Sequence, residues 1–245
     1  MRRLLLVSSL LLSSPLLAAD DATTVVARAH SAWLRGAEPE LTQLATTEAR
    51  WANSAAAPEL HAFAFIQFRA LQLASARKDS KASTRAGEAC TASAGKAAAA
   101  AKTGPLAAES WALQSACYGY MAGLGGMFAG IRNGRASGTA MQQALALDAG
   151  NPRVVLVDAF GLYFRPKIAG GDKIKACGRF REAGAAFDRA GATAAGGWGP
   201  AEAHFWLGRC LLDADNPGGA RREFEAALKL APEFAAAQRA LRSRS

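Results

Sequence analysis

Residues 201–234 read AEAHFWLGRCLLDADNPGGARREFEAALKLAPEF, and this stretch decides the fold. Leu207, Gly208, Ala220, Phe224, Ala227 and Pro232 are spaced for two helices packed against each other. The small residues Gly208 and Ala220 let the helix axes approach closely, and Phe224 fills the space that remains. Pro232 marks the end of the second helix.

These positions resemble one unit of the tetratricopeptide repeat, a helical hairpin of 34 residues with the pattern W-x2-L-G-x2-Y, then Ala, Phe, Ala and Pro. Numbered from Ala201, Leu207 and Gly208 take repeat positions 7 and 8, Ala220 takes 20, Phe224 takes 24, Ala227 takes 27 and Pro232 takes 32. His204 replaces the usual Trp and Leu211 the usual Tyr. The resemblance implies an all-α fold, a tetratricopeptide-like right-handed superhelix of antiparallel helical hairpins. It also implies a protein that acts by binding rather than by catalysis.

Working outward, the same register recurs more loosely. Asn151-Pro152 opens a hairpin with Gly161 at position 8 and Ala176, Phe180 and Ala183 at 20, 24 and 27; Gly170-Gly171 lies in its enlarged turn, and Asp172 is placed to cap the helix that follows. Before it, Gly119 takes position 8, with Ser137, Met141 and Ala144 at 20, 24 and 27. This spacing places extra residues in an enlarged turn within 123–131, where Met127, Phe128 and Ile131 either tuck over the hairpin or form an exposed contact patch. The best-defined repeats are therefore about 105–150, 151–190 and 200–234. Further upstream, helices are expected at about 20–35, 39–54, from Pro58 to Arg77, and at 81–102, with Gly36, Lys78-Asp79-Ser80 and Thr103-Gly104-Pro105 as breaks. The combination of Asn151-Pro152-Arg153, Pro166 with Gly170-Gly171-Asp172, and Trp198-Gly199 is similar to exported bacterial tetratricopeptide proteins of unsettled function.

The first residues form an address. Met1-Arg2-Arg3 precedes an apolar run from Leu4 to Leu12, and Ser13-Ser14-Pro15 leads to Ala18-Ala19. This is the layout of a secretory signal peptide over residues 1–19, too short to span a bilayer. A single helical domain is expected over 20–245, in the periplasm or secreted, with no transmembrane segment in the mature chain.

Loss of Arg2 and Arg3 leaves 27 cationic against 20 acidic side chains, a net charge of +7. The excess lies from Arg69 onward. An exported basic protein meets anionic lipid headgroups, cell-wall polymers or acidic partners, and its compartment disfavours nucleic acid.

Four cysteines with no Cys-x-x-Cys spacing suit structural bridges in an oxidising compartment. Of three possible connectivities, helix alignment favours Cys90 with Cys117 and Cys177 with Cys210, because each pair is equidistant from a turn between antiparallel helices.

No catalytic, cofactor-binding or metal-binding set emerges. His30, His61 and His204 lack ligand spacing, and His204 reads as a packed, hydrogen-bonded ring. Ser137 lies in a glycine-containing segment without the spacing or preceding strand of a nucleophile elbow, and reads as a packing residue. The expected partner is a protein or peptide lying on the concave surface lined by the first helices of successive units. Val155, Asp158, Leu162 and Arg165, with Glu202, Phe205, Arg209 and Leu212, are expected to face it. The competing expectation is a small-ligand-binding protein with residues 123–131 as a lid.

Overall fold

The structure is a computed structural model that describes residues 21–195 and 197–243. The expected signal peptide, residues 1–19, lies outside the described residues.

Eleven α-helices and no strand are present among the described residues. Asp21 caps α1 (Ala22–Arg35) by accepting from the Thr24 N–H, and Gly36, at φ 70°, ends it in the left-handed conformation that glycine adopts without a Cβ penalty. α2 (Glu38–Thr47) follows at once, then a 3-10 turn (Ala49–Asn53) that buries Trp51. α3 (Ala57–Ala76) is apolar almost all round, with Leu60, Phe63, Phe65, Ile66, Phe68 and Leu71 buried; it is the central helix, packed by α1, α2, α4 and α5.

Four hairpins continue from there. α3 pairs with α4 (Ser80–Ala101), α5 (Gly104–Leu124) with α6 (Met127–Asp148), α7 (Pro152–Phe164) with α8 (Lys173–Ala195), and α9 (Pro200–Asp213) with α10 (Pro217–Leu230). α11 (Ala235–Arg242) covers the end of the last hairpin. Asp79, Asn151 and Asn216 side chains accept backbone N–H groups at the starts of α4, α7 and α10, and Asp172 does so at α8. α8 is interrupted at Gly191, whose φ is 64°.

The register of the last hairpin agrees with the sequence reading. A Cβ added to Gly208 would lie 2.6 Å from the Phe224 ring and 3.2 Å from the Ala220 carbonyl oxygen. In the α5–α6 hairpin Gly119 faces Ser137, and Ser115 and Ser137 each donate to the other's backbone carbonyl, at 2.8 and 2.9 Å. These buried hydroxyls are satisfied packing groups. In the α7–α8 hairpin Ala176, Phe180 and Ala183 are buried as expected, whereas Gly161 faces the Arg165 guanidinium.

One expectation changes. Residues 123–131 do not form an enlarged turn: α5 runs to Leu124 and α6 begins at Met127, so the additional residues lengthen both helices and leave only Gly125-Gly126 between them. Leu, Met, Ala and Phe here sustain helix on both sides of the two glycines. Met127, Phe128 and Ile131 stand in solvent at the tip, neither tucked over the hairpin nor closed down on it as a lid.

The disulfides join Cys90 of α4 to Cys117 of α5, and Cys177 of α8 to Cys210 of α9, with Cα separations of 6.2 and 5.6 Å. Each links the second helix of one hairpin to the first helix of the next.

Candidate functional site

The first helices of successive hairpins turn inward, and the chain curls until its beginning meets its end. Leu34 of α1 is buried in the cluster formed by Phe205, Phe224 and Phe234, and the Trp33 ring lies 5.6 Å from that of Phe234. α3 and α9, remote in sequence, therefore face each other across the interior.

Arg69 of α3 and Glu202 of α9 meet there. Their side chains are 0% and 1% exposed, and Arg69 Nη2 lies 2.9 Å from Glu202 Oε1. The same nitrogen donates to His30 Nδ1 at 3.0 Å, and Nη1 donates to the Gln72 side-chain oxygen at 2.8 Å. Gln72 in turn donates to the Tyr120 hydroxyl. Since an arginine only donates, His30 Nδ1 is an acceptor and its proton sits on Nε2, which points toward Glu202 Oε2 at 3.9 Å. The aromatic rings of Trp33, Phe65, Phe68 and Trp198 surround the guanidinium, Trp33 most closely at 4.1 Å. Cation–π attraction and the ion pair together compensate a charge that would be costly to bury alone.

The electrostatics follow from burial. Removal from water, with the nearby cations Arg69 and Arg153, holds the His30 imidazole well below its ordinary pKa and keeps it neutral. Burial also lowers the Arg69 guanidinium, opposed by Glu202. A second tie crosses the same interior: Arg153 donates to Glu109 and to the Trp198 carbonyl, and Asn151 donates to Glu109. His61 donates from Nδ1 to Ser110, whose own proton is committed to the Leu106 carbonyl.

This interior occupies the surface on which the sequence reading places a partner. Val155, Glu202 and Phe205 are buried, Glu202 by Arg69 and Phe205 by Phe224 and Phe234. Asp158 is half-buried and accepts from Arg179 at 2.9 Å. Leu162, Arg165 and Leu212 are half-buried, and Arg209 is exposed. The ends of α7 and α9 do come together: Asp213 accepts from Tyr163 at 2.8 Å and from Lys173 at 2.9 Å. The Lys173 hydrogen bond holds the Asp213 carboxyl below the usual carboxylate range, and the positive charge of Arg209 acts in the same direction. The eight residues thus divide into Val155, Glu202 and Phe205, sealed from solvent, Asp158, half-buried against Arg179, and an outer set, Leu162, Arg165, Arg209 and Leu212, along one edge.

Arg69 and His30 are the residues that sequence reasoning did not identify as a centre. One signal was present: Arg69 is the single charge within the apolar run from Leu60 to Leu73, directly after Phe68. A cation on the buried face of a helix implies a buried anion elsewhere in the chain.

The architecture defines a protein of stacked antiparallel helical hairpins whose curvature closes on a buried polar centre. Residues 201–234 match the Tetratricopeptide repeat family. That unit and the helix packing that leads up to it give the chain a tetratricopeptide-like helical repeat fold. No curated protein matches the chain.

Proposed function

We propose that this chain is an exported, non-enzymatic scaffold that holds a protein or peptide partner against the outer edge of its C-terminal hairpins. The observation that carries this reading is the tetratricopeptide repeat at 201–234, an architecture that supports protein interaction through helix surfaces. The ionisable groups of the interior support it as well. Arg69, Glu202 and His30 are engaged with one another beneath a shell of aromatic rings, and none is aimed into an open cleft as a nucleophile or base needs.

The contact edge is the outer set, Leu162, Arg165, Arg209 and Leu212. It offers apolar area beside cations, and so suits a partner segment with acidic and apolar residues. Export is supported by the leader-like sequence over residues 1–19 and by two cysteine pairs at bridging distance. No described helix is long and apolar enough to cross a membrane.

The test is site-specific photo-crosslinking in the producing cell, with a photoreactive residue at Leu162 or Leu212 and a control at Leu147 on α6. A discrete protein adduct at the first two positions and none at the control is the expected result. Equal labelling at all three positions, or no adduct at any, overturns the assignment of the edge. Mass measurement of the N-terminus tests export separately, with loss of about 19 residues expected.

A further inference from the structure

We infer that the edge formed by the tips of the α5–α6 and α7–α8 hairpins docks onto an anionic phospholipid bilayer surface. Eight large apolar side chains are exposed among the described residues, and six of them stand on these two tips. Met127, Phe128 and Ile131 lie at the first, with Phe128 82% exposed. Phe164, Ile168 and Ile174 lie at the second, with Ile168 99% and Ile174 87% exposed. Such a concentration on one edge is not the scattered exposure of single apolar residues that any surface shows.

The two tips share one side of the molecule. α5 packs along α7, and Glu109 near the start of α5 accepts from Asn151 and Arg153 at the start of α7, which fixes the two helices at a common height. Twelve residues on from Glu109 and from Pro152 lie Met121 and Phe164. At a rise of about 1.5 Å per residue these reach the same level, so the first tip extends beyond the second by about one helical turn.

Charge and shape select the occupant. Between Glu109 and Asp148 the only charged side chains are Arg132 and Arg135, so the first hairpin tip is purely cationic. The second carries Arg165, Lys167, Lys173 and Lys175 against Asp172, which pairs with Lys175, and Asp213 of α9, which pairs with Lys173. Both tips are turns between helices that set exposed apolar side chains beside cations, Arg132 following Ile131 on the first and Lys167 and Lys173 flanking Ile168 and Ile174 on the second. A bilayer interface accepts this arrangement: the apolar side chains enter the headgroup and acyl boundary while Lys and Arg meet phosphate. Because none of the exposed apolar side chains of the tips takes part in the buried centre, docking leaves the interior intact.

Arg165 belongs both to this tip and to the partner edge, and a test with pure lipid, whose variants leave Arg165 unchanged, separates the two readings. The full chain, with its N-terminus verified by mass, is sedimented with vesicles of phosphatidylglycerol and phosphatidylcholine in equal amounts, and with phosphatidylcholine alone. Binding is expected to the anionic vesicles and to fall steeply as salt is raised. Phe128→Ser with Ile168→Ser and Ile174→Ser should weaken it roughly tenfold or more. Arg132→Gln with Lys167→Gln should do the same on anionic vesicles. Leu230→Ser, at an exposed position (56%) on α10, should bind as the unmodified chain does. All these positions are on the surface, and an unchanged melting temperature confirms folding. Failure of the unmodified chain to bind anionic vesicles, or undiminished binding by the triple variant, overturns the inference; in that case the tips serve a protein contact or none.

Discussion

Arg69 of the third helix and Glu202 of the ninth form an ion pair at 2.9 Å that no solvent reaches. The pair ties two hairpins far apart in sequence, and His30 of the first helix completes it. Arg69 Nε and Glu202 Oε2 remain without a hydrogen-bond partner, so the centre is not fully compensated. Removing one member should strand the other as a buried charge, at a cost of about 3–5 kcal/mol. Arg69→Met and Glu202→Leu should each lower stability by that amount in urea titrations. The double variant should lose clearly less than the sum, because apolar residues of similar volume replace both charges together. Additive losses would show that the two residues act separately.

Two buried histidines, one in this centre and one on Ser110, set a pH response. His30 and His61 are both held below their ordinary pKa, chiefly by burial. A histidine with a depressed folded pKa binds its proton more readily in the unfolded chain, so stability is greatest above the unfolded value of about 6.5 and falls as the pH drops below it. The slope should approach about 1.4 kcal/mol per pH unit for each histidine until its folded pKa is reached. Denaturant titrations from neutral to mildly acidic pH should show this loss, and His30→Gln should reduce the slope. A pH-independent midpoint across that range would contradict the buried, neutral imidazole.

Local patterns were legible in the sequence because they rest on neighbours within one hairpin. Gly208 against Phe224, Gly119 against Ser137 and the caps at Asn151 and Asp172 all follow from helical period and short-range chemistry. The disulfide pairing was legible for the same reason, since each bridge spans helices adjacent in the chain. The closure of the curl was not. Whether Glu202 faces an open groove or a guanidinium from α3 depends on rotations accumulated over several hairpins, which no local spacing records. Residues 123–131 were misjudged because added length was assigned to the turn, although the residues on either side of Gly125-Gly126 are helix formers.

The close approach at Gly208 gives a sharp test of the last repeat. Even a Cβ there lies 2.6 Å from the Phe224 ring and 3.2 Å from a backbone carbonyl, so relief requires movement of the helix as well as the ring. Overpacking of this kind costs about 1–3 kcal/mol. Gly208→Leu should destabilise toward the upper end of that range, and Gly208→Ala by less. Thermal melts of both should fall in that order; unchanged melting for the leucine variant would refute the register.

Another glycine controls how the final hairpin enters. Gly199 has φ 115°, and a Cβ at that position would lie 2.3 Å from the Phe187 ring, so both backbone and space exclude a side chain. Trp198 beside it is buried and holds two arginines, Arg69 and Arg153, over its ring. Gly199→Ala should therefore loosen the α8–α9 joint and with it the buried centre. The expected signature is a lower melting temperature with Trp emission shifted toward that of exposed indole. A substitution without effect on either would mean that the joint does not position Trp198.

The two disulfides bear on local opening more than on architecture. Cys90–Cys117 and Cys177–Cys210 close loops with sequence separations of 27 and 33, for which the chain-entropy account gives about 3.5–4 kcal/mol each before any native-state cost. In a hairpin array each unit leans mainly on its neighbours, so a bridge between adjacent units raises the energy of separating those units in particular. Non-reducing peptide mapping should recover both pairs from protein isolated from an oxidising compartment. Cys177→Ala with Cys210→Ala should then increase amide exchange chiefly in α8 and α9, and Cys90→Ala with Cys117→Ala chiefly in α4 and α5, the helices each bridge joins. Exchange that rises uniformly across the chain for either variant would show that the bridges stabilise the fold globally, and a Cys90–Cys177 or Cys90–Cys210 peptide would overturn the helix alignment itself.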